Sequence, residues 1–192
     1  MLSRTTISRL ASALLLLFSL SVVAAAQRIP DQVSSKGVLR ISVLGHEPDA
    51  KDLKTLVSAS DLVIRGRILT ARSRLNRTQE SILTDFSFRV EAVLRNKSSA
   101  SSVPSIVRFT LLGGRVELPG GIAEFEDGNF ALPKVGDEYV LFLRRQGDNP
   151  QSYEIGEQPD PDKYVVVYRS QGAFQIVEEK VLPAAPPRLP SS

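Results

Sequence analysis

The run IVRFTLLGGRVELPGG, residues 106–121, decides how this chain is read. Val107, Phe109 and Leu111 alternate with Arg108 and Thr110, so its first half reads as a strand with one apolar face. Gly113-Gly114 interrupts the alternation, residues 115–118 resume it, and Pro119-Gly120-Gly121 closes it. The apolar residues belong to a core, and the glycines are backbone devices that turn the chain. Neither glycine pair opens a helix whose N-terminus would face a phosphate, so they do not form a nucleotide-binding loop.

Working outward, the neighbouring segments repeat the two-residue period. Residues 81–95 alternate most cleanly, with Phe86, Phe88, Val90, Ala92 and Leu94 expected inward and Asp85, Ser87, Arg89 and Glu91 outward. A slip of one residue would expose both phenylalanines, each losing roughly 1.5–3 kcal/mol of burial, so this register is firmly set. Upstream, Leu62, Ile64, Gly66 and Ile68 share one face and Val63, Arg65, Arg67 and Leu69 the other, with Gly66 marking a bulge or bend. Downstream, Val135-Gly136-Asp137 leads into a strand over 138–145, and residues 163–169 and 172–177 read as a final pair. A short strand is expected over 152–155, and 121–134 reads as a long irregular connection.

Only one helix is expected. Pro48, Asp49 and Asp52 precede Leu53, Leu56 and Val57, which recur at i, i+3, i+4 for about three turns. Before it, 27–36 is polar, carries Pro30 and reads as a flexible lead, and 37–45 reads as an edge strand. Pro183, Pro186, Pro187 and Pro190 make 181–192 an extended, disordered tail. These elements predict a mainly β fold, an antiparallel OB-like or Greek-key barrel with one short N-terminal helix, spanning 48–180 as a single domain behind a lead of 27–47. A two-sheet β-sandwich is the alternative closure.

The first 26 residues read as a signal peptide. Arg4 and Arg9 precede an apolar core over 10–23, and Ala24-Ala25-Ala26 offers a cleavage site. The run is short for a membrane span, and an uncleaved anchor is the alternative. Cleavage after Ala26 leaves 166 residues (192 less 26), secreted or periplasmic, with no later stretch apolar enough to cross a membrane. The whole chain carries a net charge of +3, but both arginines leave with the signal and no acid does, so the product is near +1. That balance argues against nucleic acid as a partner. With no cysteine, the domain is held by its core, which suits a bacterial envelope.

The inventory of reactive groups excludes several chemistries. His46 is the one histidine, and it reads as a linker residue, so neither a hydrolytic triad nor a zinc site is supported. Glu124, Glu126 and Asp127 form the weak candidate for a metal, as do Asp160 and Asp162, but neither group has the spacing of a calcium loop. No cofactor is expected. Arg65, Arg67, Arg72, Arg74 and Arg77 cluster along the first hairpin. They read either as an anion-binding patch or as a charged outer face that keeps an edge from aggregating.

Several segments carry a resemblance: SDLVIRGRI at 60–68, TDFSFRVEAVLRNK at 84–97, VRFTLLGGRVELPGG at 107–121, GDEYVLFL at 136–143 and GAFQIV at 172–177. In these the chain resembles a group of uncharacterised exported bacterial β-rich proteins, over most of 60–177. It departs from them where Leu111-Leu112 stands in place of a proline before the glycines. More distantly the layout is similar to the OB-like barrels of the netrin and metalloproteinase-inhibitor type. Their metal-chelating N-terminal cysteine has no counterpart here. The resemblance implies export and a barrel, and leaves function open. The reading of the residues is a non-enzymatic exported binding or interaction module, acting through 113–134 or the arginine hairpin. Its partner would be another envelope protein or an anionic glycan or lipid. The alternatives are a carboxylate-dependent hydrolase using Glu124, Glu126 and Asp127, and a structural accessory domain of the envelope.

Overall fold

The computed structural model describes residues 28–43, 50, 52–97, 102–128, 130–146, 163–168, 171–178 and 180–183. The signal peptide, His46, Pro48, Asp49, Asp160, Asp162 and the strand expected over 152–155 lie outside the described residues.

In chain order the elements are α1 (Ile29–Lys36), β1 (Val38–Val43), α2 (Leu53–Ala59), β2 (Leu62–Leu75), β3 (Ile82–Asn96) and β4 (Ile106–Leu112). They continue as β5 (Gly114–Leu118), β6 (Gly121–Asp127), β7 (Glu138–Arg145), β8 (Lys163–Val166), β9 (Ala173–Val177) and β10 (Lys180–Pro183). The fold is mainly β, as expected. Strands β7-β2-β3-β4-β8 are neighbours in that order, and β8 also pairs with β7, so the larger sheet curls into a five-stranded ring. Counted along the ring, the first strand pairs with the second and fourth, and the third runs parallel to the fifth. This is the connectivity of an OB-type Greek-key barrel.

The ring follows from the alternation. Phe86, Phe88, Val107, Phe109, Leu141 and Leu143 point inward and are all buried, and the rings of Phe86 and Phe109 stack at 5.0 Å and 11°. The outer edge of β7 is shared, since β9 pairs with Glu138 to Leu141 and β8 with Leu143 to Arg145. The expected pairing between 163–169 and 172–177 is therefore corrected. Both segments are strands, but each pairs with β7 and not with the other, because one long strand offers both a longer edge than either offers alone.

Three irregularities set which side chains face out. The β2–β3 register shifts between Val63 and Ile64, between Arg65 and Gly66, and between Ile68 and Thr70. At the first, β3 steps from Arg95 to Val93 and leaves Leu94 without a partner. Leu94, expected inward, is accordingly exposed. At the last, Leu69 is the supernumerary residue on β2. Val63 is buried on the outer side because α2 covers it, with Leu56, Phe142 and Val167 completing that cluster.

Chain segments read as unstructured build the second sheet. The lead 27–36 contains α1, with Pro30 in its first turn and Asp31 favouring its N-terminus. Ile29 and Val33, one helical turn apart, are both buried, and that i, i+4 pair outweighs the polar residues around it. β1 is an edge strand, as expected, but it joins β6 in parallel, and β5 lies on the other side of β6. The connection expected to be irregular over 121–134 thus begins as strand β6, where Ala123 and Phe125 supply the alternating buried face. Gly121 permits the docking, since a Cβ there would lie 1.6 Å from the Gly37 carbonyl oxygen. The expected tail is shortened too, because Lys180–Pro183 pairs with β9, with Pro183 at the outermost strand's end. Both sheets are mixed rather than wholly antiparallel.

Candidate functional site

Two grooves take up the regions singled out in the sequence. One, of about 610 Å3, lies on the outer face of β2, β3, β4 and β8. The other, of about 460 Å3, lies between Gly113-Gly114 and the β6 end, over Phe125, Phe130 and Leu132.

The second groove contains the acidic candidates but does not gather them. Glu124 and Glu126 alternate with buried Ala123 and Phe125 along β6, and Glu124 is paired with Arg40 at 3.2 Å. Asp127 closes the turn to Phe130, whose amide donates to the Asp127 carbonyl. Among the described residues no three carboxylates or histidines are placed to hold a metal ion. The weak metal candidate is corrected: a β pleat sends successive acids to opposite sides.

The arginines are sorted more sharply. Arg65 and Arg67 both point outward onto Glu138, with Arg65 Nε 2.5 Å from Oε1 and Arg67 Nη2 2.9 Å from Oε2. Arg67 Nε also meets Glu91 at 3.3 Å. Arg74 donates to Asp85 at 2.6 Å. Those three are neutralised within the fold. Arg72 is exposed, and its side chain meets no hydrogen-bond or ionic partner among the described residues. The same holds for Arg89 on β3 and Arg108 on β4. The register places these side chains on one face, with Arg72 opposite Asp85, Ser87 opposite Arg108 and Arg108 beside Lys163. Arg89, Arg108 and Lys163 went unmarked in the sequence, because topology alone brings β4 and β8 to β2.

The larger groove centres on Asp85. Its carboxylate accepts from Arg74 Nε at 2.6 Å, Thr110 Oγ1 at 2.6 Å and Lys163 Nζ at 3.2 Å. Burial pushes its pKa up, but the hydrogen bonds from Arg74 and Thr110 and the charges of Lys163 and Arg74 win, holding it below the ordinary carboxylate value. A depressed carboxylate stabilises the fold above its ordinary value, near 3.9, and that contribution disappears as pH falls through the folded value. Asp85→Asn is therefore expected to flatten the loss of stability below about pH 4, measured by urea midpoints across pH. An unchanged acid limb would show that Asp85 is not held by these partners.

Around that carboxylate stand Arg72, Arg74, Arg108 and Lys163, so the groove carries an excess of positive charge on a rigid sheet. No protein-family model matches this chain, and neither curated proteins nor solved structures return a match.

Proposed function

We infer that the chain is an exported binding module that holds an anionic ligand on the outer face of β2, β3 and β4. The observation that carries this reading is the sorting of the arginines. Arg72, Arg89 and Arg108 stand exposed on three adjacent strands without internal counter-ions, whereas Arg65, Arg67 and Arg74 are paired. An outer face needing charge only for solubility is served equally well by paired arginines. Unpaired guanidiniums close together repel one another, and an arriving anion relieves that repulsion. The corresponding face of OB-type barrels is where ligands commonly lie, which is a fold-level analogy that agrees with the charge. Export rests on the signal-like first 26 residues.

Titrating the purified protein with polyphosphate by isothermal calorimetry tests the reading. Arg72→Glu/Arg108→Glu is expected to weaken binding more than tenfold, and affinity should fall steeply with salt. Arg65→Glu/Arg67→Glu should change it less than threefold. Equal losses from both double variants would point to general charge and overturn the assignment of this face.

A further inference from the structure

A carboxylate at the middle of an anion-binding face is the feature that general electrostatics leaves unexplained. Asp85 lies between Arg72 on one side and Thr110 on the other, directly on the groove floor. Its two oxygens are unequally used. Oδ1 accepts from Thr110 and Lys163 and receives a longer contact from Arg74 Nη2 at 3.5 Å, whereas Oδ2 accepts only from Arg74 Nε at 2.6 Å. A carboxylate oxygen offers two lone-pair directions, so Oδ2 keeps one acceptor position. The side chain is 34% exposed, which leaves that position open to the groove. Beside it, Ser87 faces Thr70 across the β2–β3 ladder, and neither hydroxyl has a side-chain hydrogen bond among the described residues.

A ligand suited to this floor must therefore bring donors as well as negative charge. Phosphate and sulfate chains supply acceptors almost exclusively at neutral pH and would meet Asp85 as a like charge. A sugar bearing an acidic group supplies both. We propose that the groove is a subsite for one residue of an acidic saccharide. The ligand's acid group lies between Arg72 and Arg108, one ring hydroxyl donates to Asp85 Oδ2, and Ser87 and Thr70 bond neighbouring sugar oxygens. The volume of about 610 Å3 admits a pyranose with its substituents. Arg72 and Arg108 stand on strands two spacings apart, about 10 Å between backbones, a span their long side chains close from both sides. This assignment rests on the anion-binding reading above and narrows its ligand class.

The two readings separate by the sign of one mutation. Removing Asp85 lowers negative charge, which strengthens any purely ionic ligand, yet it removes the acceptor a sugar hydroxyl needs. The purified protein is titrated with a galacturonate trimer and with polyphosphate. Asp85→Ala is expected to weaken the trimer at least tenfold while tightening polyphosphate about threefold. Ser87→Ala, which leaves the Asp85 ion pairs in place, should weaken the trimer severalfold and leave polyphosphate unchanged. If Asp85→Ala tightens both probes, or the trimer fails to bind while polyphosphate does, the saccharide assignment falls and the anion-binding reading stands. If polyphosphate does not bind the unmodified protein, the broader reading falls with it. Loss of both probes in Asp85→Ala marks a disturbed fold, and Ser87→Ala then decides, an unchanged trimer affinity overturning the proposal.

Discussion

Gly66→Ala is expected to cost about 3 kcal/mol or more and to lower the midpoint of urea unfolding accordingly. A Cβ at this position would lie 1.8 Å from the Arg89 carbonyl oxygen and 3.0 Å from a ring carbon of Phe88. The nearer obstacle is backbone, so no rotamer change relieves it. The two strands would have to part where β2 is already irregular, since the register shifts between Arg65 and Gly66. β2 is the strand on which both β3 and β7 are built, so strain here spreads around the ring. Circular dichroism during urea titration gives the measurement. A midpoint within experimental error of the parent protein would falsify the close approach of these strands.

Phe109→Ala is the second large effect, at about 3–5 kcal/mol. Phe109 is 1% exposed, stacks on Phe86 and lies in the cluster that fills the ring. Its removal sacrifices the aromatic contact and opens a void that the surrounding strands, hydrogen-bonded on both sides, collapse into poorly. For a domain of this size the loss corresponds to a fall in melting temperature of roughly 6–20 °C. Phe125→Ala, in the separate cluster beneath α1 and the smaller sheet, offers a comparison. Calorimetric scans of the two variants would show whether the two cores melt together. A Phe109→Ala shift below about 2 °C would mean that the ring is not packed around this side chain.

The barrel was legible because its strands announce themselves locally. Phe86 and Phe88, Val107 and Phe109, and Leu141 and Leu143 each set a two-residue period that only a half-buried strand satisfies. What escaped depended on partners far away in sequence. α1 has a polar composition, and its helix is fixed by burial of Ile29 and Val33 against the smaller sheet, although Pro30 with an i, i+4 apolar pair was available as a signal. β6 carries Glu124, Glu126 and Asp127, and its strand character emerges when β1 and β5 flank it. Parallel pairings such as β1 with β6 join residues more than 80 positions apart, with no turn chemistry to announce them.

The site divides along the same line. The arginine hairpin was visible as a cluster, but which arginines are free was not. Arg65 and Arg67 are neutralised by Glu138, more than 70 residues downstream. Arg108 and Lys163 complete the groove only because β4 and β8 run side by side.

The supernumerary Leu69 carries a consequence for how β2 is organised. Up to Ile68 the outward positions are odd-numbered and hold Arg65 and Arg67, and from Thr70 onward they are even-numbered and hold Arg72 and Arg74. One inserted residue thus acts as a half-period phase shift in a periodic signal. It keeps a single strand in step with two different arginine spacings. Without it Arg72 and Arg74 would turn toward the side where Phe86 and Thr84 are buried, and Ala71 and Ser73 would take their places outside. The continuity of the cationic face therefore rests on an aliphatic residue that carries no charge.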